Sequence, residues 1–371
     1  MLKNLTRSTQ KLIQKPFALC FVLLVLGILA YGLYIPWMGF YWDDWPWVWF
    51  SHVMEPVGML QIDIEHRPIS GLILYLGTIL SGANPLGWQI YNLVFRLMGS
   101  ISLAWMLRVL WPRHKEQTTW VALLFLVYPG FGQQFVSVNN SRHLFPLITF
   151  FLSIGLMIKA NKEKESHYWK LTIAALISSI ITMLTTEYYY GLELIRPIVL
   201  WVLLREQSSQ SICCARLGEI DAGSRNRPAS VDDPIHAGGF RKPASNLFDW
   251  SERLQNPFSK TILPIFGAWL PYLLPLVGVF FWRYTISKGV NYQITVFDKL
   301  SAAPPRGVLQ FLRAWGGDIV SAGLGVWPKI LRQPDPMLFG PRSRLYYWGL
   351  TIVATVGVLL FFIFSRSSPA S

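Results

Sequence analysis

An apolar run without a charged residue, Phe17 to Tyr34, constrains most strongly what this chain can fold into. With its flanks it is long enough to cross a hydrocarbon core of roughly 30 Å, which takes about 20 helical residues. A cleaved signal peptide is the competing interpretation, because basic residues precede the run. The run ends in Tyr31, Tyr34, Pro36 and Trp37 and not in small residues typical of a cleavage site. The sequence therefore predicts at least one membrane span.

The composition of the whole chain supports the same class of protein. Of the 371 residues, 52% are hydrophobic and only 14% are charged, which leaves too little polar surface for a soluble protein. The net charge of +13 has its simplest use in topology signals and contacts with anionic lipids, so no nucleic-acid partner is expected. Three cysteines indicate neither a disulfide framework nor a spaced metal site.

Further apolar runs predict an all-α, polytopic membrane protein with about eight transmembrane helices. After the first span, the predicted crossings are residues 88–111, 119–128, 144–158, 171–186, 191–204, 262–282 and 345–364. Lys3, Arg7, Lys11 and Lys15 recur every four residues and form one side of an amphipathic N-terminal helix. By the positive-inside rule both termini are then cytoplasmic, and the protein is a multi-pass protein of the plasma (inner) membrane.

The pattern of apolar and polar stretches predicts four regions. They are a cytoplasmic amphipathic N-terminus (1–16), a transmembrane module (17–204) with an acidic outer loop (38–67), a flexible cytoplasmic loop (205–260) and a C-terminal transmembrane region (261–371) with a long outer segment (283–344). Low apolar content and many Ser, Arg, Gly and Pro residues distinguish the third region.

Two adjacent acids, Asp43 and Asp44, lie in the acidic outer loop among large aromatic residues. One interpretation is a pair of solvated acids beside an interfacial aromatic belt. The other is functional: aromatic neighbours exclude water, so that one aspartate acts as a general base or the pair binds a divalent cation. Both interpretations stay open at this point.

The step His66-Arg67-Pro68 also has two interpretations. Pro68 suits the first turn of a helix, and polar residues before it then face water. Alternatively, the planar guanidinium of Arg67 receives a phosphate, with His66 beside it.

Further charged residues lie close to predicted spans, where a charge is costly and indicates a role. They are Arg96 within the second crossing, Arg142 and His143 after a Pro-Gly turn, and Glu187 between two apolar runs. In the long outer segment, Lys288, Lys299, Arg306 and Arg313 are candidate surface charges, anchors to anionic headgroups or contacts to a lipid phosphate.

The order of several motifs resembles the GT-C class of membrane glycosyltransferases, which includes the protein O-mannosyltransferases. The matching pieces are WDDW at 42–45, HRPISGLILYLGTIL, GWQIYNLVFRLMGS, ALLFLVYPGFGQQFVSVNNSRHLFPLITFFL and LTTEYYYGLELIRP, in that order. The resemblance covers residues 17 to about 205, roughly half of the chain.

This resemblance implies a reaction and assigns roles to residues. Asp43 or Asp44 would be the catalytic base that deprotonates an acceptor, and Arg67 would lie near the donor phosphate. Glu187 matches an acid of the family. The donor would be a polyprenyl-phosphate-linked sugar, the acceptor a glycan, lipid or protein, and the displacement would invert the anomeric centre. Two other classes stay open: a lipid or solute transporter with charges along its path, and a catalytically inactive scaffold that keeps the fold.

Overall fold

The computed structural model describes residues 16–131, 133–162, 167–206, 257–286 and 304–328, together with isolated residues between 341 and 356. Within these residues the chain is almost entirely helical and has no β-strand. The predicted all-α class is therefore confirmed for this part of the chain. Several predictions lie wholly or mostly outside the described residues: the amphipathic helix before residue 16, most of the loop 205–260, Lys288, Lys299 and most of the span 345–364.

The helices follow one another with short connections over the first half of the chain. In order they are α1 (Pro16–Ala30), α2 (Asp44–Val53), α3 (Glu55–Asp63), α4 (Pro68–Ser81), α5 (Pro85–Leu110), α6 (Lys115–Leu126), α7 (Ser137–Lys162), α8 (Tyr168–Thr185), α9 (196–206), α10 (Pro257–Ile286) and α11 (Pro304–Val320). Short 3-10 helices lie at Gly32–Trp37, Pro129–Phe131 and Glu187–Ile195, and a π-helical turn, Ser321–Gly325, follows α11.

Five helical segments of the described chain are long and apolar enough to cross a membrane. They are Phe17–Trp37, Pro85–Leu110, Ser137–Lys162, Tyr168–Thr185 and Pro264–Ile286. Two other predicted crossings are shorter than a span: α6 has 12 residues, and 191–204 is divided between a 3-10 helix and α9. The described part of the chain is thus all-α with five candidate membrane-spanning segments, and the number eight stays a prediction.

The three long helices α5, α7 and α8 pack side by side and form the centre of the helical bundle. Small and polar residues allow this close packing, as is usual for helices in a membrane. The Ser153 hydroxyl donates to the carbonyl of Ala175 at 2.6 Å, and the hydroxyls of Thr149 and Thr182 lie 2.7 Å apart. Gly155 faces the ring of Trp105 so closely that an added Cβ would lie 2.2 Å from it.

Between α6 and α7 the chain is irregular, and side chains of α5 satisfy its carbonyl groups. Gln89, Asn92 and Arg96 follow one another at helical spacing on one face of α5. They donate to the carbonyls of Phe135 at 2.7 Å, Gln134 at 2.9 Å, and Phe131 and Leu126 at 3.0 and 3.1 Å. Non-helical backbone is tolerated at membrane depth only when its polar groups have such partners. The buried Arg96 therefore has a structural role at this break.

The predicted acidic outer loop, 38–67, contains two helices, α2 and α3. α2 begins at Asp44, with Pro46 in its first turn, and α3 begins with Glu55 and a proline. Apolar residues of α3, α4, α5 and α7 form one cluster that fixes this pair to the bundle: Met59, Leu74, Trp88 and Val138. The acids of this segment are thus held on an ordered helical layer.

The chain divides into two compact units, Met1–Tyr189 with Gly278–Ser371, and Tyr190–Val277. The predicted region boundaries at 204/205 and 260/261 stay predictions. Within the second unit Arg196 and Glu193 form a buried ion pair, with a 2.9 Å bond from Nη2 to Oε1. The Arg196 guanidinium also lies over the Tyr272 ring, 4.3 Å from its centroid.

Candidate functional site

The two adjacent acids at the start of α2 have opposite environments. Asp43 precedes the helix and is exposed, whereas Asp44, its first residue, is 0% exposed. The preceding residue, Trp42, has a positive φ of 43°, a conformation that is unfavourable for a bulky residue. This turn directs the two carboxylates to different surroundings, which the pattern DD alone does not reveal.

Asp44 binds the N-terminus of α7, which lies far away in the sequence. Its Oδ2 accepts from the backbone N–H of Ser137 and its Oδ1 from that of Asn139, each at 2.9 Å. These N–H groups have no partner within their own helix, and the helix dipole favours a negative charge at this end. Burial raises the pKa of Asp44 to about 6, although backbone hydrogen bonds, from Asn139 first, act in the opposite direction. Asp44 therefore anchors α2 on α7.

Arg142 strengthens the same junction one turn further along α7. Its Nε donates to Oδ1 of Asn139 at 3.0 Å, and its guanidinium lies over the Trp47 ring, 4.2 Å from the centroid. Arg142 is buried. A cation over an indole face stabilises the contact by about 0.5–2 kcal/mol. Arg142 thus supports the position of α2, and with it that of the exposed Asp43.

Two arginines meet on the carboxylate of Glu187, which follows the end of α8. Arg67 donates to it twice, from Nε at 2.9 Å and from Nη2 at 2.5 Å, and Nη2 of Arg283 lies 3.0 Å from it. Nη1 of Arg283 also donates to the carbonyl of His66 at 2.9 Å. The group has two positive charges and one negative charge, and Arg67 and Glu187 retain 21% and 30% side-chain exposure. It is a partly accessible, net positive cluster.

Charge balance within this cluster keeps Glu187 ionised. Burial raises the pKa of Glu187, but the hydrogen bond from Arg67 and the charges of Arg67 and Arg283 outweigh it, so that its pKa lies below the ordinary value. The carboxylate therefore stays negative at neutral pH and holds both arginines in place.

His143 follows Arg142 on α7 and contacts the segment that carries Glu187. Its ring lies against Tyr188, with centroids 5.5 Å apart, and its backbone carbonyl accepts from the Tyr189 hydroxyl. The Arg67 guanidinium lies 5.9 Å from the centroid of the same Tyr188 ring. The first two turns of α7 therefore carry both parts of the site: its N–H groups hold Asp44, and His143 contacts the segment that carries Glu187.

The structure thus brings most of the predicted site residues to one end of α7. His66 contributes its backbone carbonyl to this cluster. Sequence reasoning missed Arg283; its position in the last turn of a long apolar helix was the available signal. Within the described residues no group of three or more His, Cys, Asp or Glu side chains is arranged to hold a metal ion. A divalent cation at the aspartates therefore stays a prediction.

No family model, no curated protein and no solved structure matches this chain.

Proposed function

We propose that this protein is an integral membrane glycosyltransferase that moves a sugar from a polyprenyl-phosphate donor to an acceptor on the outer face of the membrane. The proposal includes the plasma (inner) membrane as its location, with both termini cytoplasmic. The acceptor is a hydroxyl group of a glycan, lipid or protein. The resemblance to the GT-C class gives the reaction type, and the residues at the N-terminal end of α7 provide the groups that the reaction needs.

One observation carries the proposal: an exposed acid, supported by a buried one, lies at the same end of α7 as a net positive arginine cluster. A sugar linked to a lipid phosphate has one negative charge, which increases as the sugar leaves. Cationic groups that meet this developing charge lower the barrier to transfer. The acid and the cations are therefore suited to opposite ends of one displacement.

In the proposed reaction Asp43 acts as the general base. Asp43 is favoured over Asp44 because its carboxylate is exposed, while both oxygens of Asp44 accept backbone N–H groups. The Asp43 carboxylate takes the proton of the acceptor hydroxyl, and the hydroxyl oxygen attacks the anomeric carbon. The bond between that carbon and the phosphate oxygen breaks, and polyprenyl phosphate leaves with the electron pair. A single displacement of this kind inverts the anomeric configuration.

Arg67 and Arg283 are proposed to bind the donor phosphate, with His66 beside them. Their planar guanidinium groups suit phosphate oxygens, and they already converge on one carboxylate. Before the donor arrives, Glu187 holds the two arginines in position. The donor phosphate then takes over some of the guanidinium N–H groups that Glu187 accepts from. Arg142 and His143 support the site from α7.

A catalytically inactive scaffold is the second candidate. Asp44 and Glu187 are both engaged in internal contacts, as in a site that only stabilises the fold. A scaffold needs no accessible base. In that case the wild type and an Asp43 variant would both consume no donor.

The test uses the purified full-length protein in lipid nanodiscs with a panel of polyprenyl-phosphate sugars. We expect the wild-type protein to consume one donor, and Arg67→Gln to lower its rate at subsaturating donor by at least about tenfold, since a charge-assisted contact is worth about 1.5–3 kcal/mol. Arg113→Gln, an exposed cation in the predicted cytoplasmic turn, is the control and should match the wild type. Unfolding midpoints confirm that each variant is folded. Consumption of no donor by the wild type would refute the proposal.

A further inference from the structure

The helix α11 carries one continuous apolar stripe that no part of the described chain covers. At 100° per residue, Val308, Phe311, Leu312, Trp315 and Ile319 lie on one side of it. These residues are between 47% and 59% exposed. An uncovered stripe of this size, in a helix with a distinct polar side, is typical of an interaction surface.

The opposite side of α11 is polar and contains its positive charges. Arg306, Gln310, Arg313 and Gly317 follow one another at helical spacing on this side, whereas Asp318 lies at the border of the apolar stripe, about 20° from Phe311. Two arginines against one aspartate give the helix a net positive charge. A helix with this division of residues binds at a membrane surface, with its apolar side in the boundary between headgroups and acyl chains.

α11 is unsuited to crossing the membrane. It has 17 residues, two arginines and an aspartate, and it is absent from the candidate spans of the described chain. A charged side chain at the bilayer centre costs at least about 2.5–3.5 kcal/mol. An orientation along the surface avoids this cost, because the apolar stripe is buried while the arginines stay at the headgroups.

The C-terminal end of α11 is attached to the membrane-embedded bundle. The Tyr128 hydroxyl donates to the carbonyl of Ala322, and the rings of Tyr128 and Trp327 are 6.0 Å apart. Tyr128 lies at the break after α6, whose carbonyls are bound by Arg96 of the membrane-spanning helix α5. The helix is therefore held next to the bilayer, where a lipid surface is the nearest partner for its apolar stripe.

We infer that α11 is an interfacial helix that docks on the membrane surface, with Arg306 and Arg313 contacting the phosphate groups of anionic lipids. Juxtamembrane arginines and lysines are attracted to such a surface by about 1 kcal/mol each. The docked helix buries the apolar stripe on lipid, and its attachment at Tyr128 fixes where it lies. This inference is independent of any glycosyltransferase activity.

The test is a scan of single spin labels in the full-length protein, reconstituted in phosphatidylcholine vesicles with and without phosphatidylglycerol. Cys20, Cys213 and Cys214 are first changed to Ser. Labels at Leu312→Cys and Ile319→Cys report on the stripe, and labels at Gln310→Cys and Gly317→Cys on the opposite side. We expect oxygen to relax the stripe labels more than a water-soluble nickel complex does, at a depth of roughly 5–10 Å below the phosphates. The opposite side should show the reverse.

Each other pattern overturns the inference. Strong nickel relaxation on both sides means a helix in water, and strong oxygen relaxation on both sides means a helix immersed in the acyl chains. Low relaxation of the stripe labels by both reagents means that protein, such as a second copy of this chain, covers the stripe.

The charge contribution has its own variants. Arg306→Gln and Arg313→Gln should each lower the ratio of docked to undocked spectral components about fivefold in vesicles with phosphatidylglycerol. Asp318→Asn is the matched control and should leave the ratio unchanged or raise it. The same ratio for all variants in both kinds of vesicle would refute the role of the arginines in binding anionic lipids.

Discussion

Replacement of Asp44 by alanine tests the anchoring of α2 on α7. The change removes the acceptor of two backbone N–H groups, those of Ser137 and Asn139. Each buried donor left without a partner costs about 1–3 kcal/mol, or about 2–6 kcal/mol for both. Loss of the buried negative charge offsets part of this cost. The rise in the pKa of Asp44 from 3.8 to about 6 corresponds to about 3 kcal/mol. At neutral pH the net change in the free energy of unfolding therefore lies between a gain of about 1 kcal/mol and a loss of about 3 kcal/mol, centred on a loss of about 1 kcal/mol.

The cost of Asp44→Ala should also depend on pH, with a sign set by the raised pKa. The folded state takes up the proton at about pH 6, and the unfolded state does so only near the ordinary value of 3.8. The contribution of Asp44 to stability is thus fully present below about pH 3.8 and is lost as the pH rises through about 6. Alanine does not titrate. The destabilisation should therefore increase by up to about 3 kcal/mol between about pH 7 and about pH 4.

The assay is unfolding by sodium dodecyl sulfate in mixed micelles, followed by tryptophan fluorescence at both pH values. Asp43→Ala is the matched control: its side chain is exposed, so its effect should stay within about 0.5 kcal/mol. At about pH 4, where the cost of Asp44→Ala is largest, equal effects of the two substitutions would refute the separation of the two acids. A cost of Asp44→Ala that is smaller at low pH would refute the raised pKa of Asp44 in the folded protein.

Three further predictions concern packing and charge in the bundle. Gly155→Ala should destabilise the protein by about 1–3 kcal/mol, because the new methyl group meets Trp105. Gly99→Ala is the control: the nearest neighbour of its new methyl group lies 3.9 Å away, so the change should be neutral or stabilise the protein by up to about 1 kcal/mol. Equal unfolding midpoints for the two variants would contradict this packing. Arg96→Ala should lower the free energy of unfolding by about 3 kcal/mol or more, because buried carbonyls at the break between α6 and α7 lose their donors. An unfolding midpoint like that of the wild type would show that this break needs no arginine. Because the pKa of Glu187 is lowered, its ion pairs stabilise the folded protein above the ordinary pKa, and this stability is lost as the pH falls through the pKa of the folded state. Glu187→Gln should therefore remove this part of the fall in the unfolding midpoint at acid pH. The same dependence of the midpoint on pH in Glu187→Gln and the wild type would refute the prediction.

The sequence predicted the long apolar helices well because each one is a local pattern. The uncharged run from Phe17 matches the candidate span Phe17–Trp37, and the run 262–282 lies within Pro257–Ile286. The end of α6 at Leu126 was not predictable in this way. Hydrogen bonds from Arg96 satisfy the carbonyls at this break, and such a partner on another helix leaves no mark in the local hydropathy.

The candidate site was predictable as a set of residues but not as a set of contacts. Asp43, Arg67 and Glu187 were recognised as polar groups beside apolar runs. Their partners are set by packing between distant segments: 120 residues separate Arg67 from Glu187. The helices of the segment 38–67 were also hidden, because aromatic residues lie on more than one side of α2 and obscure its helical period.

The most direct test of the central claim compares donor turnover by the wild type, Asp43→Asn and Glu65→Gln in nanodiscs, with donor binding measured in parallel. Glu65 is an exposed acid of the same segment and serves as the control. The account predicts that Asp43→Asn binds the lipid-linked donor as the wild type does but transfers sugar at least about 100-fold more slowly, the usual contribution of a general base. Glu65→Gln should retain the wild-type rate. Transfer by Asp43→Asn at the wild-type rate would contradict the assignment of the base.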